Sequence, residues 1–344
     1  MSDPIPAPGR HVTADAPVLD EGLRAFLESR SGLPAGCPPD LSRLLPDRVP
    51  DDPLHRAPED PCDPCDPWDP CDTTDEWFDL PCGPTGQARV RVTRPAGSVE
   101  PSPVVLLLPG LGWSLGDAGT YSRLTRELTL GTDAAVVYVE YARAPEARYP
   151  VAVEQCYAVA QWITAHGPEI GLDGRRMAAI GDSAGANLVA ALTILARQRG
   201  DVGFVQQVLL CPVTDADFDT PSYRRFATGY FLHREHMRRF WDDYLPERRR
   251  RREATAAPLR ASLEQLGGLP PALVITAEAD VLRHEGEAYA ARLREAGVPV
   301  VAMRYQGTVH AFLLLDALCP TVTARAALTQ VVDTVHVALH RRPW

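Results

Sequence analysis

Lysine is absent: all 35 basic residues of the 344-residue chain are arginine. A Walker-type phosphate loop and a pyridoxal Schiff base both require a lysine amine, so both classes are excluded. Long apolar runs are absent too. VVLLL at 104–108 is far short of the ~18 apolar residues needed to cross a bilayer, so no membrane span is expected. The opening MSDPIPAPGR has no basic segment leading into an apolar one, which argues against a secretory signal and for a cytoplasmic protein. Positive charge is in deficit: 35 basic residues against 45 acidic ones leave −10, which argues against a general nucleic-acid binder, because counterion release needs a basic face.

Hydrophobic residues make up 45% of the chain, enough for one large or two modest globular domains. Four of the eight cysteines (Cys37, Cys156, Cys211 and Cys319) sit in apolar or helical-looking surroundings, where a free thiol acts as a small core residue. Without a secretory signal, no disulfide framework is expected.

Residues 1–15 are proline-rich and polar, and Val18 to Leu33 carries Leu23, Phe26 and Leu27 at helical spacing. A tandem repeat, DPCDPCDPWDPCD, fills 60–72. Cys62 and Cys65 stand in C-x-x-C spacing, but there is no second pair at a zinc-like distance. Proline at every third position favours polyproline II, which sets successive thiols ~9 Å apart. A solvated linker is the reading, with no metal.

From there apolar runs alternate with amphipathic stretches. Strands are expected at 87–93, 104–108, 134–140, 177–181, 205–211, 271–276 and 299–305. Helices are expected at 151–165, 184–198, 284–296 and 323–340, the last striped by Leu328, Val331, Val335 and Leu339. This alternation specifies an α/β fold with a mostly parallel sheet flanked by helices. A helical patch within about 215–255 breaks the rhythm, as a cap insert would. The division is then 1–74 for arm, helix and linker, and 75–344 for the catalytic domain.

The run at 104–108 ends in Pro109, Gly110, Leu111, Gly112 and Trp113, with Gly116 beyond. One reading is a dinucleotide loop, with Glu140 holding the ribose, although this glycine spacing is a loose variant and Glu140 lies far along. The other is half of an oxyanion hole. It is favoured by MAAIGDSAGANLVAAL at 177–192, where Gly181 and Gly185 flank Ser183 between a strand and a helix. That context marks a turn that lifts a serine hydroxyl above a sheet. The order serine, acid, histidine is then met by Asp280, after PALVIT, and His310, after PVVAMRY, each just past a strand. Glu278 competes with Asp280 for the acid.

Across 75–340 the chain resembles the hormone-sensitive-lipase-like family of α/β-hydrolases. The resemblance is carried by GDSAGANL, YARAPEARYPVAVEQCY (141–157), SYRRF (222–226), LGGLPPALVITAEADVLRHEGEAYAARLREAGVPV (266–300) and YQGTVHAF (305–312). It implies an α/β-hydrolase fold with a helical cap and a serine carboxylesterase acting on a small-molecule ester or acyl substrate, without cofactor. Ser183 is the implied nucleophile, Asp280 the acid and His310 the base. Leu111, Gly112 and Ala184 supply oxyanion N–H groups. Trp113, Asp182, Tyr223, Phe231 and Trp241 are expected around the substrate. The family's His-Gly-Gly-Gly is replaced by Pro109-Gly110-Leu111-Gly112, which removes a bracing histidine and puts a Cβ where positive φ is easiest for glycine. That departure keeps a second outcome open, a biosynthetic cyclase, dehydratase or thioesterase-like enzyme of the same fold. Arg248–Arg252 reads as a solvated loop, and a homodimer is compatible with the resemblance.

Overall fold

The computed structural model describes residues 17–30 and 72–340; the Asp-Pro-Cys repeat up to Cys71, and Cys37, lie outside them. In chain order the elements are α1 (Glu21–Arg30), β1 (Thr73–Leu80), β2 (Ala88–Pro95), β3 (Ser102–Leu108) and α2 (Ser122–Thr132). They continue with β4 (Ala135–Glu140), α3 (Val151–His166), β5 (Leu172–Asp182), α4 (Ala184–Arg199), β6 (Gln206–Leu210), α5 (Pro221–Arg225) and α6 (Arg234–Tyr244). The last are α7 (Leu263–Leu266), β7 (Ala272–Ala279), α8 (Arg283–Glu295), β8 (Val300–Val309) and α9 (Val322–His340).

The eight strands form one sheet in the order β1-β2-β4-β3-β5-β6-β7-β8. β1 and β2 run antiparallel to their neighbours, and every pairing from β4 to β8 is parallel. Strands covered on both faces need apolar side chains on both, and all seven residues of β3 are accordingly buried. From β3 the chain passes to β4 on one side and then crosses to β5 on the other. The carboxyl ends of β3 and β5 therefore bound a crevice at the point where strand order reverses, where open α/β sheets place their sites.

Besides the one-turn α7, two elements were not expected. β1, TTDEWFDL, is polar because it is an edge strand paired only with β2; Arg91 anchors it through Asp75 at 2.5 Å. In α2 the helical stripe is hidden by buried threonines. Thr129 and Thr132 return their hydroxyls to the carbonyls of Thr125 and Leu128, so polar residues occupy core positions without an orphaned donor. Among the described residues no helix is long and apolar enough to cross a membrane.

The insert after β6 holds α5 and α6. It meets α1 through Phe231 and Phe26, whose ring centroids lie 6.0 Å apart. Arg248, Arg249, Arg250 and Arg252 are exposed, as a solvated loop requires, and Arg251 alone departs from that expectation. Arg251 is buried, donating to Leu245 O at 2.7 Å and Asp242 at 2.5 Å, because its guanidinium caps the end of α6 over the Trp241 ring. Arg248, Arg251 and Arg252 share a cleft with Asp215, Asp217 and Asp242, so the patch has no single sign.

The start of α6 is held by two neutral histidines. His233 Nε2 accepts from Gly229 N–H and His236 Nδ1 accepts from His233 N–H, with the rings stacked at 4.7 Å. Burial, then the charges of His233 and Arg239, push His236 down to about 4. The unfolded chain thus binds more protons between about pH 6.5 and 4. Stability from this cap is complete above about 6.5 and drains as the pH falls toward 4. A fall from pH 7 to 5 crosses only part of that window, so the loss over it is on the order of 1 kcal/mol rather than the full linkage value. Between pH 7 and 5 the wild-type Tm should fall by about 1–2 °C more than that of His236→Asn. Parallel Tm curves for the two proteins would contradict this.

Candidate active site

Ser183 sits between β5 and α4 at φ 53° and ψ −117°, a conformation L-residues seldom adopt. Its cost, of order 1–3 kcal/mol, is met by a closed set of backbone bonds. Ser183 N–H donates to Leu210 O at 2.8 Å, and Ser183 O accepts from Asn187 N–H at 3.1 Å and Val213 N–H at 3.2 Å. The flanking glycines are required by packing: a Cβ on Gly181 would strike the backbone of Gly185, and one on Gly185 the carbonyl of Leu108. Asn187, which drew no attention in the sequence beyond its place in GDSAGANL, is fully buried. Its Nδ2 donates to Val213 O at 3.1 Å and Ala256 O at 2.9 Å, tying α4 to the loop after β6.

The structure brings Ser183, His310 and Asp280 together although they come from three separate loops. His310 Nδ1 lies 2.8 Å from Asp280 Oδ2, and His310 Nε2 lies 3.0 Å from Ser183 Oγ. A carboxylate only accepts, so Nδ1 carries the proton and Nε2 is left as an acceptor for the serine hydroxyl. Asp280 Oδ1 accepts Leu282 N–H at 3.0 Å, which fixes the carboxylate's rotation. All three side chains are buried. Glu278, the other candidate acid, is occupied elsewhere: its Oε2 accepts from Gly307 N–H at 2.8 Å.

The loop after β3 runs beside this triad. Leu111, Gly112 and Trp113 take φ values of 62°, 68° and 59°, so the strain expected at Leu111 is present and extends to Trp113. Gly112 leaves no room for a Cβ, because the Phe240 ring of α6 lies against it. The N–H groups of Leu111, Gly112 and Ala184 meet no acceptor among the described residues. Upstream, Gly110 N–H donates to Tyr121 Oη at 2.6 Å, and Tyr121 Oη donates to Asp182 Oδ1 at 2.7 Å. Tyr141 Oη donates to Pro109 O at 2.8 Å.

A small cavity, about 10 Å³, opens onto Ser183 and His310 and barely holds one water. Leu124, Leu210, Cys211, Phe312, Leu313 and Leu314 wall it, and Asp182 borders it. Cys211, expected as a small core residue, has its thiol in this wall, and burial pushes its pKa up, so it acts as an apolar surface. Among the described residues the one group spaced to hold a metal is Cys211, Asp280 and His310, whose ligand atoms lie within 4.8 Å of one another.

Four residues expected around the substrate do not border this cavity. Trp113 is stacked on Tyr244 at 4.2 Å and set edge-on to Trp241 at 5.1 Å, so this fully buried aromatic cluster packs the loop against α6. Tyr223 is buried beside the Glu285 carboxyl, which accepts from Thr214 N–H and Asp215 N–H and holds the loop after β6. Phe231 packs on α1. The physical reason is shared: bulky aromatics at the junction of cap and sheet are consumed by packing. Asp182 does border the cavity, with Oδ1 engaged by Tyr121, and burial pushes its carboxyl above the usual range.

Residues 105–314 match a family model described as the α/β-hydrolase fold. The carboxylesterase NlhH of Mycobacterium tuberculosis is 37% identical over 255 residues, 73% of this chain and 78% of that protein. An arylesterase of Saccharolobus solfataricus is 37% identical over 219 residues, 61% of this chain and 68% of that one. Among solved structures, a thermostable esterase from Pseudomonas putida superposes with a TM-score of 0.84 at 39% identity, covering 95% of this chain and 99% of that one.

Proposed function

Because the chain belongs to the hormone-sensitive-lipase-like family of the α/β-hydrolase superfamily and is a carboxylic ester hydrolase, we propose that Ser183, His310 and Asp280 carry out the hydrolysis through an acyl-enzyme. The observation that carries this reading is the continuous hydrogen-bond chain from Asp280 Oδ2 through both nitrogens of His310 to Ser183 Oγ. His310 Nε2 takes the serine proton as Oγ bonds to the ester carbonyl carbon, and Asp280 stabilises the imidazolium. The carbonyl π electrons become an oxyanion held by the N–H groups of Leu111, Gly112 and Ala184, at the N-terminus of α4. As the tetrahedral centre collapses, the alkoxide leaves with the proton from His310. Water then repeats the sequence on the acyl-enzyme and releases the acid. Residues 75–344 form the catalytic domain in this reading, with α1 and the 215–255 insert closing over it.

The wall of the cavity sets the expected acyl preference. Phe312, Leu313 and Leu314 leave no slot for a long chain, so each added methylene must displace packed side chains at a cost that soon exceeds the ~0.8 kcal/mol its burial returns. A p-nitrophenyl ester series from acetate to laurate should give an initial burst of about one equivalent of p-nitrophenolate. It should also give a kcat/KM that falls at least tenfold from acetate to octanoate. Flat or rising kcat/KM would contradict the closed wall, and the absence of both burst and turnover with every ester would remove the acyl-enzyme.

A further inference from the structure

The loop that carries Leu111 and Gly112 is not held at its upstream end by its own turn. Pro109 has no N–H, and the local backbone bonds begin only at Leu111 O, which accepts from Ser114 and Leu115. The upstream peptide is gripped by side chains instead. Tyr121, fully buried on entry to α2, takes the Gly110 N–H on its oxygen and gives its own proton to Asp182 Oδ1. Gly110 N–H also lies 3.2 Å from that carboxylate oxygen. Asp182 is bonded directly to Ser183, and a Cβ on Gly110 would come within 2.6 Å of Asp182 Oδ2, so the two segments are in contact. One phenol and one carboxylate thus join the two pieces of backbone whose spacing defines the pocket for the oxyanion.

We infer that Tyr121 and Asp182 act as a pair of positioning residues, locking the Pro109–Gly112 loop in register with the Ser183 turn so that N–H groups from both converge on one oxygen. The inference rests on the acyl-enzyme reading above. Removing the phenol oxygen leaves Gly110 N–H with only its longer contact to Asp182, and leaves that buried carboxylate with one weak donor. The loop can then drift by a fraction of an ångström. Hydrogen bonds to an oxyanion weaken steeply with such drift, whereas substrate binding in the apolar cavity does not depend on it.

The test compares Tyr121→Phe, Asp182→Ala and the double variant with wild type, using p-nitrophenyl acetate and an aryl trifluoromethyl ketone that forms a tetrahedral adduct on serine. Each single variant should lose 10- to 100-fold in kcat with KM within threefold, and the ketone Ki should rise by the same factor as kcat falls. The double variant should be no more than about threefold worse than the weaker single, because the two residues form one device. A Tyr121→Phe enzyme within threefold of wild-type kcat, losses that multiply, or a Ki that ignores kcat would overturn the inference. Should Tyr121→Phe not fold, Asp182→Asn decides. Its Oδ1 still accepts from Tyr121, and its amide nitrogen replaces an oxygen that has no partner, so kcat should stay within about threefold; a fall as deep as that of Asp182→Ala overturns the pairing. Labelling by a fluorophosphonate separates the two levels. An unlabelled wild-type Ser183 removes the nucleophile and this inference together, whereas a labelled Ser183 with an indifferent Tyr121→Phe removes only the inference.

Discussion

Ser183→Ala is expected to lower kcat by about 10⁴- to 10⁶-fold, leaving only the catalysis that binding and oxyanion donors supply without a nucleophile. The substitution deletes one oxygen. The backbone bonds that fix the turn run through Ser183 N–H and O, so the turn should persist, and alanine meets the same positive-φ penalty that serine already bears. Tm should therefore move by no more than about 2 °C. KM should also change little, because the cavity walls are untouched. Steady-state turnover, burst amplitude and fluorophosphonate labelling should disappear together. Retention of more than about 1% of wild-type kcat in a preparation free of other esterases would remove Ser183 from the mechanism.

Asp280→Asn is expected to cost about 10⁴-fold in kcat near neutral pH, and the geometry gives the reason. Asp280 Oδ1 accepts the Leu282 N–H, so an asparagine keeps its carbonyl oxygen there and points its NH₂ at His310. An NH₂ can only donate. His310 Nδ1 must then become the acceptor and the ring proton moves to Nε2, where it faces Ser183 Oγ and can no longer receive the serine's proton. The fold should be spared, since the variant differs by one isosteric group. Fluorophosphonate labelling should slow in step with kcat while circular dichroism and Tm stay near wild type. Glu278 offers no rescue because Gly307 holds its carboxylate. A loss smaller than about tenfold would mean that the Asp280–His310 contact does not set the tautomer.

These two positions were readable before any coordinates because their signals are local and combine. Ser183 stands between glycines at a strand-to-helix junction, and Asp280 and His310 each follow an apolar run that can only be a buried strand. Spacing alone left Glu278 beside Asp280, and the family resemblance pointed to Asp280. Both lie at the end of β7, two residues apart, and the rotation imposed by Leu282 N–H on one and Gly307 N–H on the other separates them. The unexpected strand β1 and helix α2 show the converse. Their polar residues are satisfied by partners distant in sequence or by i−4 carbonyls, so neither presents the apolar period that reveals an element. The aromatic residues of the insert and of the loop after β3 were legible as apolar but not as to what they touch. Trp113, Tyr223, Phe231 and Trp241 all pack against protein, while the cavity is walled by Cys211 and by residues beyond His310 that form no motif.

By itself, the order of apolar runs and turn glycines determined an α/β sheet with Ser183, Asp280 and His310 past the ends of successive strands. Periodicity and turn chemistry act over a few residues, and a sequence displays them directly. The tertiary structure alone decided what holds Glu278 away from the imidazole, how Tyr121 and Asp182 reach an upstream loop that lacks its own anchor, and how little space remains beside the serine. Those outcomes depend on side chains brought together from 30 to 127 positions apart, where angles and distances of a few tenths of an ångström select among residues of the same type.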